Sequence, residues 1–292
     1  MNPLISPAEV IAEPGDLILI DVRHDLNDPT AGLRAYAQGH LPNAAFLSVD
    51  EDLSGEPSAG NGGRHPLPAP KDFAKRLEEL GATEDTLLIA YDASGGIFAA
   101  RFWWLCRWIG HLRVGVLNGG LQAWVAAGGP LQTEDYKPVV LPQGQRGEPL
   151  RVHATACPRW GLDMVESWVS AGSPSEIAML IDARSPDRYR GEVEPFDPVA
   201  GHIPGAHNRP ATLNLDATGC FKPADQLREE FMALLGHHEP SAVVHSCGSG
   251  ITACHNLLAM EAAGLLGSAL YPGSWSEWCG DTARPVAKGA QT

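Results

Sequence analysis

Two stretches of this 292-residue chain read as copies of one another, and self-similarity on that scale limits the possible folds more than any single motif does. Leu-Ile-Leu-Ile-Asp-Val-Arg at 17–23 is echoed by Met-Leu-Ile-Asp-Ala-Arg at 179–184, and Gly-His-Leu-Pro-Asn-Ala at 39–44 by Gly-His-Ile-Pro-Gly-Ala at 201–206. Further on, GGIFAAR at 95–101 matches SGITACH at 249–255, and NGGLQAW at 118–124 matches PGSWSEW at 272–278. The pairs keep their order and their spacing drifts once. One insertion or deletion therefore separates two otherwise collinear halves.

Each half alternates strand and helix patterns. In the first, LILIDV reads as a buried strand, DFAKRLEELG as a helix with Phe73, Leu77 and Leu80 at helical spacing, and Gly81 suits the position just past its end. TLLIAY, RVGVL, IFAARFWWLCRWIG and LQAWVAAGG continue the alternation. MLIDA, ADQLREEFMALLG, SAVVHS, ITACHNLLAMEAAG, SALY and a tryptophan-bearing end repeat it. The expected fold class is α/β, with two tandem domains, each a parallel sheet flanked by helices on both faces. The Pro- and Gly-rich stretch around 136–150 has no clear period and reads as a linker. The expected domains are 1–135 and 153–292, joined by a linker at 136–152.

The formal net charge of −14, with no cluster of Lys or Arg to override it, argues against nucleic acid and anionic membranes as partners. No apolar stretch approaches the roughly 18 residues of a membrane span, and the N-terminus lacks a basic flank before an apolar core. The expectation is a soluble, cytoplasmic protein. Six cysteines are scattered with no CxxC pair, which fits neither a disulfide framework nor a structural zinc site. No metal and no organic cofactor is expected.

Duplication separates fold from chemistry. Features present in both halves build the fold, as expected for His40 and His202 in their Gly-His-(Leu/Ile)-Pro turns and for the pairs Asp21/Arg23 and Asp182/Arg184. Features confined to one half are candidates for chemistry. The segment 248–253 matches GxGxxA between a strand and a helix, but no acidic residue ends a following strand, so a dinucleotide site is disfavoured. Cys247 is the better candidate. A cysteine at the carboxyl end of a parallel strand, followed by small residues and a helix, faces converging backbone N–H groups that stabilise a thiolate. Gly248 and Gly250 let the loop curl around the sulfur, and the aligned stretch of the first half, YDASGGIFAA, places Ala93 opposite Cys247. Cys106, among Trp103, Trp104 and Trp108, reads as packing, as does Cys254. A cysteine phosphatase reading lacks its phosphate-binding arginine, since position 253 is Ala, and no GxSxG elbow supports a serine hydrolase.

The two GHxPxA segments, the CGSGITAC loop present only in the second half and the YPGSWSEW stretch near the end resemble the two-domain rhodanese-type sulfurtransferases over nearly the whole chain. The Cys-Gly-Ser-Gly loop is similar to that of the 3-mercaptopyruvate branch. The resemblance implies transfer of a sulfane sulfur from 3-mercaptopyruvate, or thiosulfate, through a Cys247 persulfide to cyanide or a thiol acceptor such as a thioredoxin-like protein. It implies that Ser249 works with Asp50 and His65 in delivering a proton. It also implies that Arg188, whose first-half equivalent is Asn27, binds the small anionic donor together with the loop residues Gly248, Gly250, Ile251 and Thr252. Arg190 is a weaker candidate for the same task. One departure stands out: a second substrate arginine is common after a Glu-Pro in this branch, and here Phe196 and Asp197 follow Glu194-Pro195. That leaves a thiosulfate-preferring enzyme, or a non-catalytic sulfur carrier, as the alternatives.

Overall fold

The computed structural model describes residues 2–12, 17–57, 62–138, 147–153 and 157–290. The chain forms two compact units that are not contiguous in sequence. The first comprises Met1–Gly55, Pro68–Ala156 and Asp216–Phe221, and the second Glu56–Leu67, Cys157–Leu215 and Lys222–Thr292. Of the expected linker 136–152, residues 139–146 lie outside the described residues.

In chain order the first unit holds β1 (Leu4–Ile5), α1 (Pro7–Ala12), β2 (Leu17–Asp21), α2 (Ala31–Gln38), β3 (Ala44–Phe46), α3 (Pro70–Glu79), β4 (Leu87–Tyr91), α4 (Ile97–Ile109), β5 (Val114–Leu117) and α5 (Gly120–Ala126). Its strands form one parallel sheet in the order β1-β5-β4-β2-β3. The central strands β2 and β4 are apolar along nearly their whole length, as a sheet covered on both faces requires. The spacing of Phe73 and Leu77 turns one face of α3 inward, and Gly81 follows it in the left-handed conformation expected there. Helix α4 is buried on almost every side, which explains why its sequence is apolar throughout instead of amphipathic.

The second unit repeats the plan with α6 (Leu162–Ser170), β6 (Met179–Asp182), α7 (Pro186–Arg190), β7 (His207–Asn208), α8 (Ala224–Leu235), β8 (Val243–Ser246), α9 (Ala253–Ala262), β9 (Ala269–Leu270) and α10 (Ser274–Trp278). Its parallel sheet runs β7-β6-β8-β9, the same order as β3-β2-β4-β5. A single parallel bridge from Arg159 to Leu270 on β9 takes the place that β1 holds beside β5.

The features shared by both halves build the fold as expected. Arg23 and Arg184 each sit 2.6 Å from their aspartate, Asp21 and Asp182, and each donates to the carbonyl of the glycine that opens the Gly-His-x-Pro turn, Gly39 at 2.8 Å and Gly201 at 2.7 Å. His40 stacks on Tyr36 and bonds its carbonyl at 2.8 Å, while His202 does the same with Tyr189 at 2.7 Å. These are hydrogen-bonded core histidines. Among the described residues no helix is long and apolar enough to cross a membrane.

Candidate functional site

Cys247 follows β8 directly and is only 2 % exposed. Backbone bonds fix its counterpart in the first unit. Ala183 donates to the Ser246 carbonyl at 2.8 Å and Trp275 to that of Cys247 at 3.0 Å; Val22 donates to Tyr91 at 3.0 Å and Leu121 to Asp92 at 2.9 Å. Val22 and Leu121 are the repeat equivalents of Ala183 and Trp275, so Asp92, and not Ala93, stands in the place of Cys247. The first-unit loop is one residue longer. Ungapped alignment of the two glycine loops hid that extra residue.

Asp92 shows what the loop is built to hold. The Asp92 carboxylate is fully buried and accepts four backbone N–H bonds, from Ser94 and Gly96 at 2.8 Å on one oxygen and from Phe98 at 2.8 Å and Ala99 at 3.0 Å on the other. A strand end followed by a tight loop and a helix start has gathered its amides around one anion. In the second unit Gly250, Thr252 and Ala253 correspond to Gly96, Phe98 and Ala99. Among the described residues, the amides of Gly248, Ser249, Ile251 and Thr252 have no hydrogen-bond acceptor. Gly250 adopts φ +79, and a Cβ there would lie 2.2 Å from the Pro272 carbonyl oxygen, so this position tolerates no side chain. Gly248 is small for another reason: a Cβ there would meet Arg64 Nη2 at 3.2 Å and Arg188 Nη2 at 3.3 Å.

Ser274 was not singled out by sequence reasoning. The Cys247 amide donates to its Oγ at 3.0 Å, and that hydroxyl donates to the Tyr271 carbonyl at 2.9 Å. Ser274 sits at φ +54, a left-handed conformation unusual for a residue with a side chain, whereas its counterpart Gly120 takes φ +55 at no steric cost. The comparison of NGGL with PGSW was the signal that could have found it.

His65, Ser249 and Arg188 all fall in the second unit, because the segment Glu56–Leu67 packs there. Glu277 accepts the Gly62 amide at 2.5 Å, and Ser276 Oγ accepts that of Arg64 at 3.1 Å. His65 is buried, with Nδ1 2.7 Å from Ser249 Oγ. Asp50 lies in the first unit, in the turn after β3, with a carboxylate oxygen 3.9 Å from His24 Nε2. Burial lowers the His24 pKa, with Asp50 pulling the other way. Arg190 turns to the exposed Glu192 at 2.7 Å.

Around Gly248 the charges interlock. Arg188 pairs with Glu194 at 2.7 Å, and Glu194 also meets Arg184 at 3.2 Å. Arg184 lies 4.9 Å over the Trp275 ring. Against the penalty of burial, the charges of Asp182, Glu194 and Cys247 hold the Arg184 guanidinium above its ordinary pKa. Asp197 is pushed up by burial, which its ion pair with Arg64 opposes. Burial also pushes the Cys279 thiol up to about 11 and the Cys106 thiol well above its ordinary range, while Cys254 is buried and bonds the Gly250 carbonyl at 3.3 Å. His245, two residues before Cys247, is fully buried and depressed to about 3 by that burial. Among the described residues no cluster of His, Cys, Asp and Glu could hold a metal ion.

The fold and site define a class: a duplicated parallel-sheet protein in which one anion-cradling loop carries a carboxylate and its copy a single cysteine. Rhodanese-like domains match residues 6–127 and 165–281. A Pseudomonas aeruginosa protein named "Probable 3-mercaptopyruvate sulfurtransferase" is 44% identical over 281 residues, covering 96% of this chain and 94% of that protein. The thiosulfate/3-mercaptopyruvate sulfurtransferase 2 of Arabidopsis thaliana is 31% identical over 273 residues, covering 87% and 76%. The structure of 3-mercaptopyruvate sulfurtransferase from Leishmania major superposes with a TM-score of 0.79 at 31% identity, over 95% of this chain and 74% of that one. The chain belongs to the rhodanese-like family, in the tandem form these sulfurtransferases share.

Proposed function

We propose that the chain transfers a sulfane sulfur from 3-mercaptopyruvate through a persulfide on Cys247 to cyanide or a thiol. The Cys247 thiolate attacks the donor's sulfur, the sulfur–sulfur bond forms, and the carbon–sulfur bond breaks with its electron pair passing to carbon. That carbon then takes a proton and leaves as pyruvate. Ser249, hydrogen-bonded to His65, delivers the proton, with Asp50 as the third member of the relay. The acceptor removes the outer sulfur and restores the thiolate. Arg188 and the loop residues Gly248, Gly250, Ile251 and Thr252 hold the donor's anionic end. In this reading the catalytic repeat is 153–292, the linker is 136–152, and the 1–135 repeat has exchanged its nucleophile for Asp92. The acceptor is a small thiol or a thioredoxin-like protein in the cytoplasm.

The observation that carries the proposal is the buried carboxylate that the twin loop holds with four amides at the position Cys247 occupies. Thiosulfate is the second donor to consider, because a relative is named for both donors. The deciding measurement is thiocyanate formed from each donor and cyanide by the wild type and by Cys247→Ser. Turnover of 3-mercaptopyruvate that disappears in the variant is expected, and activity surviving the substitution removes Cys247 from the mechanism. One equivalent of bound sulfur without repeated turnover would make the protein a carrier.

A further inference from the structure

Within the second unit, helix α10 is bonded on two sides. On one side the Trp275 and Ser276 amides donate to the carbonyls of Cys247 and Gly248 at 3.0 and 2.9 Å, which ties the helix to the loop that opens on the cysteine. On the other side it holds the segment 62–65. The Gly62 amide donates to Glu277 Oε1 at 2.5 Å and the Arg64 amide to Ser276 Oγ at 3.1 Å, while the Ser276 hydroxyl donates to the Gly273 carbonyl at 3.2 Å. Gly63, between the two bonded amides, takes φ +69 and passes so close that a Cβ there would lie 2.5 Å from the Gly273 carbonyl oxygen. The next residue after this clasp is His65, buried, with Nδ1 2.7 Å from Ser249 Oγ.

Only one half of this attachment belongs to the repeat. The bond from Trp275 to Cys247 is matched in the first unit by that from Leu121 to Asp92. The clasp is not matched: the counterparts of Ser276 and Glu277 are Gln122, whose Nε2 donates to the Ala93 carbonyl at 2.9 Å, and Ala123, which has no polar side chain. Glu277 is also an expensive residue to keep. It is buried, and among the described residues its carboxylate forms no ion pair. Together with burial, its charge pushes the pKa of the neighbouring Tyr271 hydroxyl up. A buried carboxylate that neutralises no cation must be retained for another task, and the bond on the page is the charge-assisted one from the Gly62 amide.

We propose that Glu277 and Ser276 are positioning residues for proton delivery: the turn of α10 that fixes the cysteine loop also fixes the segment carrying His65, and so sets the imidazole against Ser249. The inference rests on the sulfur-transfer reading above. In that reaction the carbon–sulfur bond breaks with its electron pair passing to carbon, and that carbon takes its proton from the Ser249–His65 pair. A displaced imidazole therefore slows turnover and leaves the nucleophilicity of Cys247 unchanged. A clasp that served stability alone makes a different prediction, since its removal would act equally whether or not His65 is present.

The test is a double-mutant cycle in the full chain, read as kcat for thiocyanate formed from 3-mercaptopyruvate and cyanide. Glu277→Ala is expected to lower kcat roughly tenfold to a hundredfold and Ser276→Ala by a smaller factor, with KM changed by less than about twofold. Glu277→Gln keeps an acceptor for the Gly62 amide and is expected to recover most of the loss. In a His65→Ala background, Glu277→Ala is expected to add less than about a further twofold, because the group it places is gone. The rate at which iodoacetamide alkylates Cys247, followed on its peptide by mass spectrometry, is expected to be unaltered in every variant, which also shows that each is folded. Equal losses with and without His65, alkylation slowed in step with kcat, or an unchanged kcat in Glu277→Ala overturns the inference. A wild type that forms no thiocyanate would sink the sulfur-transfer reading alone. The placement is then read from the ring-nitrogen chemical shifts of His65, which report its bond to Ser249: a displacement in Glu277→Ala upholds it, and identical shifts overturn it.

Discussion

If the glycine loop of this fold is an anion cradle, removing the anion that one copy carries internally must be costly and must be reversible by an anion from solution. Asp92 is the place to try this. Its carboxylate accepts four amides at 2.8 to 3.0 Å, is fully buried, and belongs to the unit proposed to have no catalytic role, so stability can be read without activity. Charged hydrogen bonds contribute about 1.5–3 kcal/mol each, but four on one group do not add, and truncation also relieves the cost of burying the charge. The net expectation for Asp92→Ala is a loss of about 3–5 kcal/mol. Asp92→Asn, which keeps one carbonyl oxygen for two of the amides, is expected to lose roughly half as much. Hydrogen exchange should show the change first at Ser94, Gly96, Phe98 and Ala99. In Asp92→Gly the space of the side chain is open, and formate at about tenfold above its dissociation constant would restore about 1.4 kcal/mol. Urea unfolding with and without formate, alongside exchange at those four amides, is the assay. A loss under about 1 kcal/mol, or no response to formate, would mean that the amides are content without an anion, and the same objection would then hold for the loop around Cys247.

Other outcomes are as specific. Ser274→Ala removes the acceptor of the buried Cys247 amide and is expected to cost about 1–3 kcal/mol, while Ser274→Gly loses the same bond but relieves the left-handed strain by about 1 kcal/mol, so urea unfolding should rank Gly above Ala. His245, whose folded pKa is about 3 against about 6.5 unfolded, contributes stability that is complete above pH 6.5 and declines by about 1.4 kcal/mol per pH unit as the pH falls toward 3. His245→Leu should flatten the slope of unfolding free energy between pH 6 and 4 by about that amount, and an unaltered slope would refute a neutral buried imidazole.

The repeat was legible in the sequence because it is written in residues that the backbone cannot do without. Asp21 and Asp182 must meet Arg23 and Arg184, His40 and His202 must stack on Tyr36 and Tyr189, and these pairs recur in the same order in both units. The central strands were legible too, since β2 and β4 are apolar along nearly their whole length. The short elements were not. Strand β7 is two residues long and α7 five, too short for a period to declare itself. Cys247 could be singled out because its counterpart differs between the halves, whereas Ser249 and Arg188 came only from the resemblance to the family. Arg64 could not, since its ion pair with Asp197 depends on residues 62–64 bonding to Ser276 and Glu277 of α10, and nothing local in Gly-Gly-Arg-His predicts it.

The same comparison explains why an acidic chain can host an anion at all. A net charge of −14 opposes any anionic donor at long range, so the attraction must be local, directional and shielded from solvent. The first unit meets that condition with backbone amides, holding a carboxylate to which no arginine is bonded among the described residues. In the second unit the equivalent loop opens on a cysteine, and three arginines gather near it, each tied to a buried carboxylate: Arg184 to Asp182, Arg188 to Glu194 and Arg64 to Asp197. Tying each cation keeps the site close to neutral when it is empty, which limits the cost of burying charge. It also fixes the guanidinium planes before the donor arrives, so little ordering remains for binding to supply. What distinguishes the second copy is therefore not only a cysteine in the place of Asp92 but the set of paired cations beside it.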